Sequence, residues 1–443
     1  MTGTLPETRN RAGALSYPPG PKLPVIAQSL LFGRYRHRWL PLLQRRYGDT
    51  FALRIAPHRR RLVLVSRPED IRAVFSGSTE VFHAGEGNGI LAPVMGPHSV
   101  LLLDEAEHLR IRRLLLPAFH GPSVRGYRDL MARISSEQVH DWPRDVAFRS
   151  HERTSALTLE IIMRVVFGVT DDARLAELRP IVRHIVHITP LIMIGWFYPR
   201  LRRYGPWRRF ADQCRQLDRL LYAEIDRRRH AADVATRTDV LSRLLRAGDG
   251  GLTDAELRDN LITLLLAGHE TTATALAWSL HELARNPDVQ RRAQRAADTG
   301  DEDYLQAVAK ETLRLHPIIF EVARQLTEPV ELGGYLLPAG AVAMPAVGLV
   351  QLDPRHHDTP ARFDPERFLD RQPAASTWIP FGGGTRRCLG AGFSLLESTV
   401  VLSEVLRRFD IEAVHRRPEP PKPRNVTLYP GRGGTVRLRP RAG

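Results

Sequence analysis

The chain has 443 residues and a mass of 50.0 kDa. That is several times a usual domain of roughly 100–200 residues, so it holds two or three domains or one large core. Apolar residues at 43% and charged residues at 26% exclude wholesale disorder and collagen-like repeats, and only two cysteines, Cys214 and Cys388, exclude a disulfide scaffold or a zinc ribbon. The formal net charge of +15 is almost all arginine, lysine occurring only at Lys22, Lys310 and Lys422. No basic stripe interleaved with aromatics accompanies it, so the expectation is no nucleic-acid partner and, at most, an acidic protein partner for a basic face.

Residues 1–20 are polar and proline-bearing and are predicted to form a flexible N-terminal arm, with one domain over 21–443. No basic-then-apolar signal precedes the Pro-Pro-Gly-Pro run at 18–21, so the chain reads as cytoplasmic. A helical stretch from Trp39 gives way to a strand pair, Thr50–Ile55 and Leu62–Ser66, across an arginine-rich turn. From Asp104 to Leu280 apolar residues recur at three and four, the helical period. The apolar stretch Ile188–Pro199 is too short to span a bilayer and holds two prolines and a glycine. The charge-free run Leu332–Leu352 is long enough, yet its glycines and prolines suit short strands and turns better than a lipid-exposed helix. A last helix, Ala391–Arg408, precedes a strand-like Phe409–Val414. With no repeat and no long linker, the fold class expected is mainly α with a small β portion.

One helix stands apart. Thr253-Asp-Ala-Glu256 is a capping box, and the helical pattern runs on to Arg285 before Asn286-Pro287 stops it. Its middle, Leu261 to Gly268, is apolar nearly all round and so belongs in a core. His269-Glu270-Thr271-Thr272 follows at once, and polar side chains there must be satisfied or serve a site. Gly268 in mid-helix invites a close approach or a kink. Two readings stand for this segment: a kinked core helix with self-satisfied threonines, or a site.

The segment Phe381-Gly-Gly-Gly-Thr-Arg-Arg-Cys388-Leu-Gly390 carries the strongest signal. Three glycines free the backbone to turn tightly and aim N–H groups at one point. Cys388 sits before the N-terminus of the last helix and beside Arg386 and Arg387, which favour thiolate over thiol. A lone thiolate suits one axial bond to a haem iron, whereas tetrahedral zinc needs three or four ligands. A structural cysteine or a nucleophilic thiol are the other readings. His356-His357-Asp358, beside Asp353-Pro354, reads as a polar turn.

Phe381, Gly384, Arg386, Cys388 and Gly390 match the haem-binding signature of the cytochrome P-450 family at every fixed position, and the chain resembles that family from about residue 18 to 435. Glu311-Thr-Leu-Arg314 is similar to the family's Glu-x-x-Arg helix and Pro365-Glu-Arg367-Phe to its downstream partner. Ala267-Gly268-His269-Glu270-Thr271-Thr272 is similar to the oxygen-activating motif of the long central helix.

The resemblance implies a single domain around a buried haem b whose iron takes Cys388 as axial ligand. It implies propionate partners at His108, Arg112, Arg324 and Arg386, haem contacts at Ala267, Gly268, Phe381 and Gly390, and a structural ion triad of Glu311, Arg314 and Arg367. Glu270 and Thr271 resemble the acid–alcohol pair that delivers protons in catalysis. The implied activity is a monooxygenase that takes electrons from a separate ferredoxin or flavodoxin with its reductase, docked at arginines such as Arg387. It is expected to be a monomer without a transmembrane segment, acting in secondary metabolism or lipid oxidation. Pocket segments by resemblance are Ile90–Leu103, Leu191–Tyr198, Thr263–Ala267, Ile318–Val322 and Thr427–Tyr429. They are apolar apart from His98, Asn88, Thr427 and Tyr429, favouring a terpene, fatty acyl or polyketide-like substrate. The alternatives on this fold are a peroxide-driven peroxygenase, a redox-neutral isomerase, and a non-catalytic haem binding or recruitment protein.

Overall fold

The computed structural model describes residues 15–56, 60–168, 172–186, 190–247, 250–369 and 373–441. Helices dominate, with a small five-stranded sheet on one side. The elements that position the site are helices α1 (Val25–Tyr47), α2 (Pro68–Ser76), α3 (Glu105–Leu115), α4 (Ser150–Phe167), α5 (Asp254–Arg285), α6 (Glu302–Leu315) and α7 (Ala391–Arg408). Strands β1 (Thr50–Ile55), β2 (Arg60–Val65), β3 (Phe82–His83), β4 (Arg324–Leu326) and β5 (Val342–Pro345) form the sheet in the order β1-β2-β5-β4-β3. The hairpin β6 (Pro421–Arg424) and β7 (Thr427–Pro430) stands apart from it.

Helix α5 starts as its capping box predicts. Thr253 Oγ1 accepts from the Glu256 N–H at 3.3 Å, and the Thr253 N–H donates to Glu256 Oε2 at 2.8 Å. The helix ends at Arg285, where Asn286-Pro287 closes it. Over 32 residues it spans about 48 Å at roughly 1.5 Å each. Its apolar girth is buried against α4 and α7, where Leu157, Ile161, Leu261, Leu265, Leu276, Val401 and Val405 share one core. Gly268 leaves α5 unbroken. A Cβ built there would meet only the flexible end of Ile162 of α4, Cδ1 at 3.0 Å, so the helix neither kinks at the glycine nor meets rigid backbone there.

In the sheet, β1 pairs antiparallel with β2, placing Thr50 opposite Val65, and β2 runs parallel to β5 with Leu62 opposite Val342. Phe51, Leu53, Leu62 and Leu64 pack with Leu40 of α1 into a second core. Of the predicted arm, residues 1–14 lie outside the described residues. Residues 15–20 run along the sheet, with the Ser16 N–H on Leu336 O and the Ala52 N–H on Pro19 O, both at 2.9 Å. The run Leu332–Leu352 holds short strands as expected, and also a helical turn, Val347–Gln351, which the pattern did not announce. Among the described residues no helix is long and apolar enough to cross a membrane.

Candidate active site

The cysteine loop is built by hydrogen bonds between its own ends. The Cys388 N–H donates to Phe381 O at 2.8 Å and the Arg387 N–H to Gly384 O at 3.1 Å. Gly382 and Gly384 take φ of +66° and +63°, which side chains resist, and a Cβ on Gly384 would lie 1.8 Å from Phe75 O of α2. Phe381 packs edge-on to Trp378 at 6.1 Å, and Gly390 caps α7, accepting the Ser394 N–H at 2.8 Å. The Cys388 side chain has accessible surface, yet protein surrounds it closely enough that burial raises its pKa. Desolvation raises that pKa, while the Gly390 N–H, Arg112 and Arg387 pull it down.

Three arginines and a buried histidine gather near the loop. His108 and Arg112 sit one turn apart on α3, His108 almost fully buried with no hydrogen-bond partner for Nδ1. Burial lowers the His108 pKa to about 3, with the charges of Arg386, Arg112 and Arg324 adding to the effect. Arg386 donates to Val100 O at 3.2 Å and to Leu103 O, and pairs with Asp104. Arg324, on β4, donates to Ala323 O at 2.8 Å. Burial lowers both arginines to about 10, each also feeling other arginines nearby. Asp104 is the carboxylate that acts on His108, Arg324 and Arg386, so one negative charge faces three arginines and a histidine with a bare buried nitrogen. Such a set fits a group that brings two carboxylates of its own.

On α5, Ala267 is exposed midway along an otherwise buried helix, Gly268 and Thr271 are half-buried, and Thr271 Oγ1 donates to Ala267 O at 2.7 Å. Glu270 is buried, and burial raises its pKa to about 7. Arg424 of β6 donates to its Oε1 at 3.1 Å, His151 Nε2 of α4 lies 3.7 Å from the same oxygen, and Oε2 has no partner among the described residues. Arg424 and His151 carried no signal of their own. The only clue was that a carboxylate inside a buried helix needs partners.

The expected ion triad forms. Glu311 and Arg314 are fully buried and joined by two bonds of 2.7 and 2.8 Å, with Arg367 Nε 3.5 Å from Glu311. Arg314 also donates to Gln351 O at 3.1 Å and Pro360 O at 2.8 Å, which ties α6 to the segment leading into the cysteine loop. The polar groups of the expected pocket segments are largely engaged by the protein. His98 binds Asp259 at 3.1 Å, Asn88 donates to Leu101 O at 3.2 Å, and Thr427 donates to Arg424 O at 2.9 Å. Tyr429 lies ring to ring with His151 at 5.9 Å. His357 sits in a turn, and its Nε2–H donates to Thr377 O at 3.1 Å.

A family model described as Cytochrome P450 matches residues 18–435. The chain is 49% identical over 427 residues to a protein of Mycobacterium tuberculosis described as putative cytochrome P450 135A1, covering 96% of this chain and 95% of that one. It is 43% identical to putative cytochrome P450 135B1 of Mycobacterium bovis, with 96% and 92% covered. Among solved structures, retinoic acid-bound cyanobacterial CYP120A1 superposes with a TM-score of 0.84 at 22% identity, over 97% of this chain and all of that one. The loop, the cation set and these matches agree, and the chain belongs to the cytochrome P450 family of haem-thiolate monooxygenases.

Proposed function

We propose that this cytochrome P450 holds haem b through Cys388 and inserts one oxygen atom of O2 into an apolar small molecule of terpene, fatty acyl or polyketide-like kind. The observation that carries the reading is the surplus of positive charge beside the cysteine loop, with His108 Nδ1 left bare. His108, Arg112, Arg324 and Arg386 would hold the two propionates, and Phe381, Gly390, Ala267 and Gly268 would bound the ring. A thiolate-ligated haem supplies reductive activation of O2 when bound.

The protein's own groups supply the rest. Glu270, with a pKa of about 7, holds a proton on its carboxyl near neutral pH and releases it without a large barrier. Thr271 Oγ1, anchored on Ala267 O, keeps a hydroxyl on the open face of α5. His98, Asn88 and Thr427 are bonded to protein, which leaves mainly apolar side chains to meet a substrate and disfavours a charged one. Electrons come from a separate ferredoxin or flavodoxin with its reductase, acidic where it meets the exposed Arg387. The enzyme works as a cytoplasmic monomer in secondary metabolism.

The carbon monoxide difference spectrum of the dithionite-reduced protein tests this, with Cys388→Ala alongside. The red-shifted Soret band typical of the family, lost in the variant, is expected. A histidine-like or absent band in the wild type overturns the ligand assignment. Spin-state titration with apolar compounds then tests the substrate class, and product formed without an electron donor would point to the peroxygenase or isomerase chemistry instead.

A further inference from the structure

His151 occupies a place that the acid–alcohol pair does not by itself require. It lies in the first turn of α4, 7% exposed, its backbone N–H held by Gly433 O at 3.0 Å. Its Nε2 is 3.3 Å from Thr274 Oγ1 and 3.7 Å from Glu270 Oε1, both on α5. The residue also lines a surface cleft of about 360 Å³ together with Glu152, Arg153, Ser155, Ala156 and Arg183. One imidazole thus stands between solvent and a buried acid whose Oε2 has no partner among the described residues.

We infer that His151 is the proton relay to Glu270, receiving protons at Nδ1 from the cleft and passing them from Nε2 to Glu270 Oε1 while Arg424 holds the carboxylate. The inference rests on the role proposed above for Glu270. An N–H bond forms at Nδ1 as one breaks at Nε2, and the carboxylate gains an O–H. The proton comes from hydronium or a buffer acid in the cleft, whose conjugate base stays there, and a ring flip restores the starting tautomer. Nothing is oxidised or reduced.

The 3.7 Å separation exceeds the roughly 2.6–3.2 Å of a proton-transfer contact. Rotation of the Glu270 carboxyl, or one bridging water, closes it. Burial lowers the His151 pKa to about 4, Arg424 adding to it, while Glu270 stands at about 7. The proton therefore rests on the carboxyl and the imidazole passes it on as a neutral ring. The other groups facing this pair are Arg424 of β6, Tyr429 of β7 and His269 of α5, whose Nε2 is 3.0 Å from Ser155 Oγ. Arg183, of the helix Asp172–Val186, adds positive charge near His269, and Glu152 and Arg153 stand on the cleft wall. Burial, with smaller contributions from His151 and Arg183, lowers the His269 pKa to about 3, so it does not compete for the proton.

The test is the rate at which Glu270 protonates after a downward pH jump, followed by the infrared carboxyl stretch in the reduced, carbon monoxide-bound protein. Glu270→Gln identifies the band. His151→Ala is expected to slow protonation at least about ten-fold, the low end of general acid–base contributions. Added imidazole restores it, since carbon monoxide on the iron bars imidazole from ligating there. His151→Gln, which keeps a hydrogen bond to Thr274, is expected to be equally slow and guards against a folding defect. Glu331→Gln, an exposed carboxylate on the strand Val330–Leu332 away from the cleft, is expected to leave the rate unchanged. Rates within two-fold of wild type in both His151 variants, or slow rates that imidazole leaves slow, overturn the relay. The carbon monoxide spectrum of the same samples reads the haem–thiolate assignment separately: a histidine-like band overturns that assignment while the carboxyl band still reports on His151.

Discussion

Two glycines of the cysteine loop separate backbone strain from steric collision. Gly382 and Gly384 share a left-handed backbone, φ +66° and +63°, so alanine costs about 1–2 kcal/mol at either from that cause alone. A Cβ on Gly382 meets nothing within 4 Å, whereas on Gly384 it lies 1.8 Å from Phe75 O and 2.8 Å from the Phe75 carbonyl carbon. Ordinary contact is about 3.5 Å, so the loop or the end of α2 must move by more than 1.5 Å, a displacement a packed interior resists. Gly382→Ala is therefore expected to unfold with its melting temperature lowered by only a few degrees and to keep the family's carbon monoxide spectrum. Gly384→Ala is expected to lose haem or the thiolate band, because Cys388 is held by a bond from its own N–H to Phe381 O across this turn. Haem content, the carbon monoxide spectrum and thermal unfolding are measured on both. Equal behaviour of the two variants refutes the reasoning, since it would leave the contact with Phe75 without consequence.

Three further outcomes are expected. Arg314→Leu removes both charge-assisted bonds from the fully buried Glu311, leaving it Arg367 at 3.5 Å and the Asp364 N–H, and strips donors from Gln351 O and Pro360 O, so it should destabilise the protein by about 3 kcal/mol in denaturant unfolding; a loss under 1 kcal/mol contradicts it. Glu397 on α7 is fully buried and burial holds its pKa well above the usual carboxylate value. Its folded pKa being the higher, the neutral acid's stabilising advantage is full below the ordinary carboxylate pKa and is lost as pH rises from there through the folded value, so Glu397→Gln should flatten the fall of melting temperature with rising pH. An unchanged slope counts against it. Gly268→Ala meets only the mobile end of Ile162, at 3.0 Å, and gains about 1 kcal/mol of helix propensity, so the variant should melt no lower than wild type; a drop of several degrees would show that close approach does demand the glycine.

What the sequence made legible was local. The capping box, the apolar girth of α5, the stop at Asn286-Pro287 and the glycine loop each lie within one short window, and each formed as read. The i,i+3 pair Glu311–Arg314 is equally local. What escaped notice comes from distant stretches of chain. Arg424 reaches Glu270 across 154 residues, and Asp104 meets Arg386 across 282, pairings no periodicity encodes. The arginines beside Cys388 are visible in the sequence, but the desolvation that opposes them is a property of everything packed around it. The helical turn Val347–Gln351 is short enough that burial, not propensity, decides its conformation.

The parallel pairing of β2 with β5 has a consequence during biosynthesis. Leu62 and Val342 are neighbours in the sheet yet about 280 residues apart in the chain. At roughly 5–20 residues per second, a ribosome takes about 14–56 s to make that interval. Throughout it the parallel edge of β2, with its run Leu62-Val-Leu-Val65, stays unpaired on the nascent protein. The two arginines at 60 and 61 that open the strand place charge beside that run, the kind of gatekeeping that discourages it from pairing with another chain before its own partner has been made.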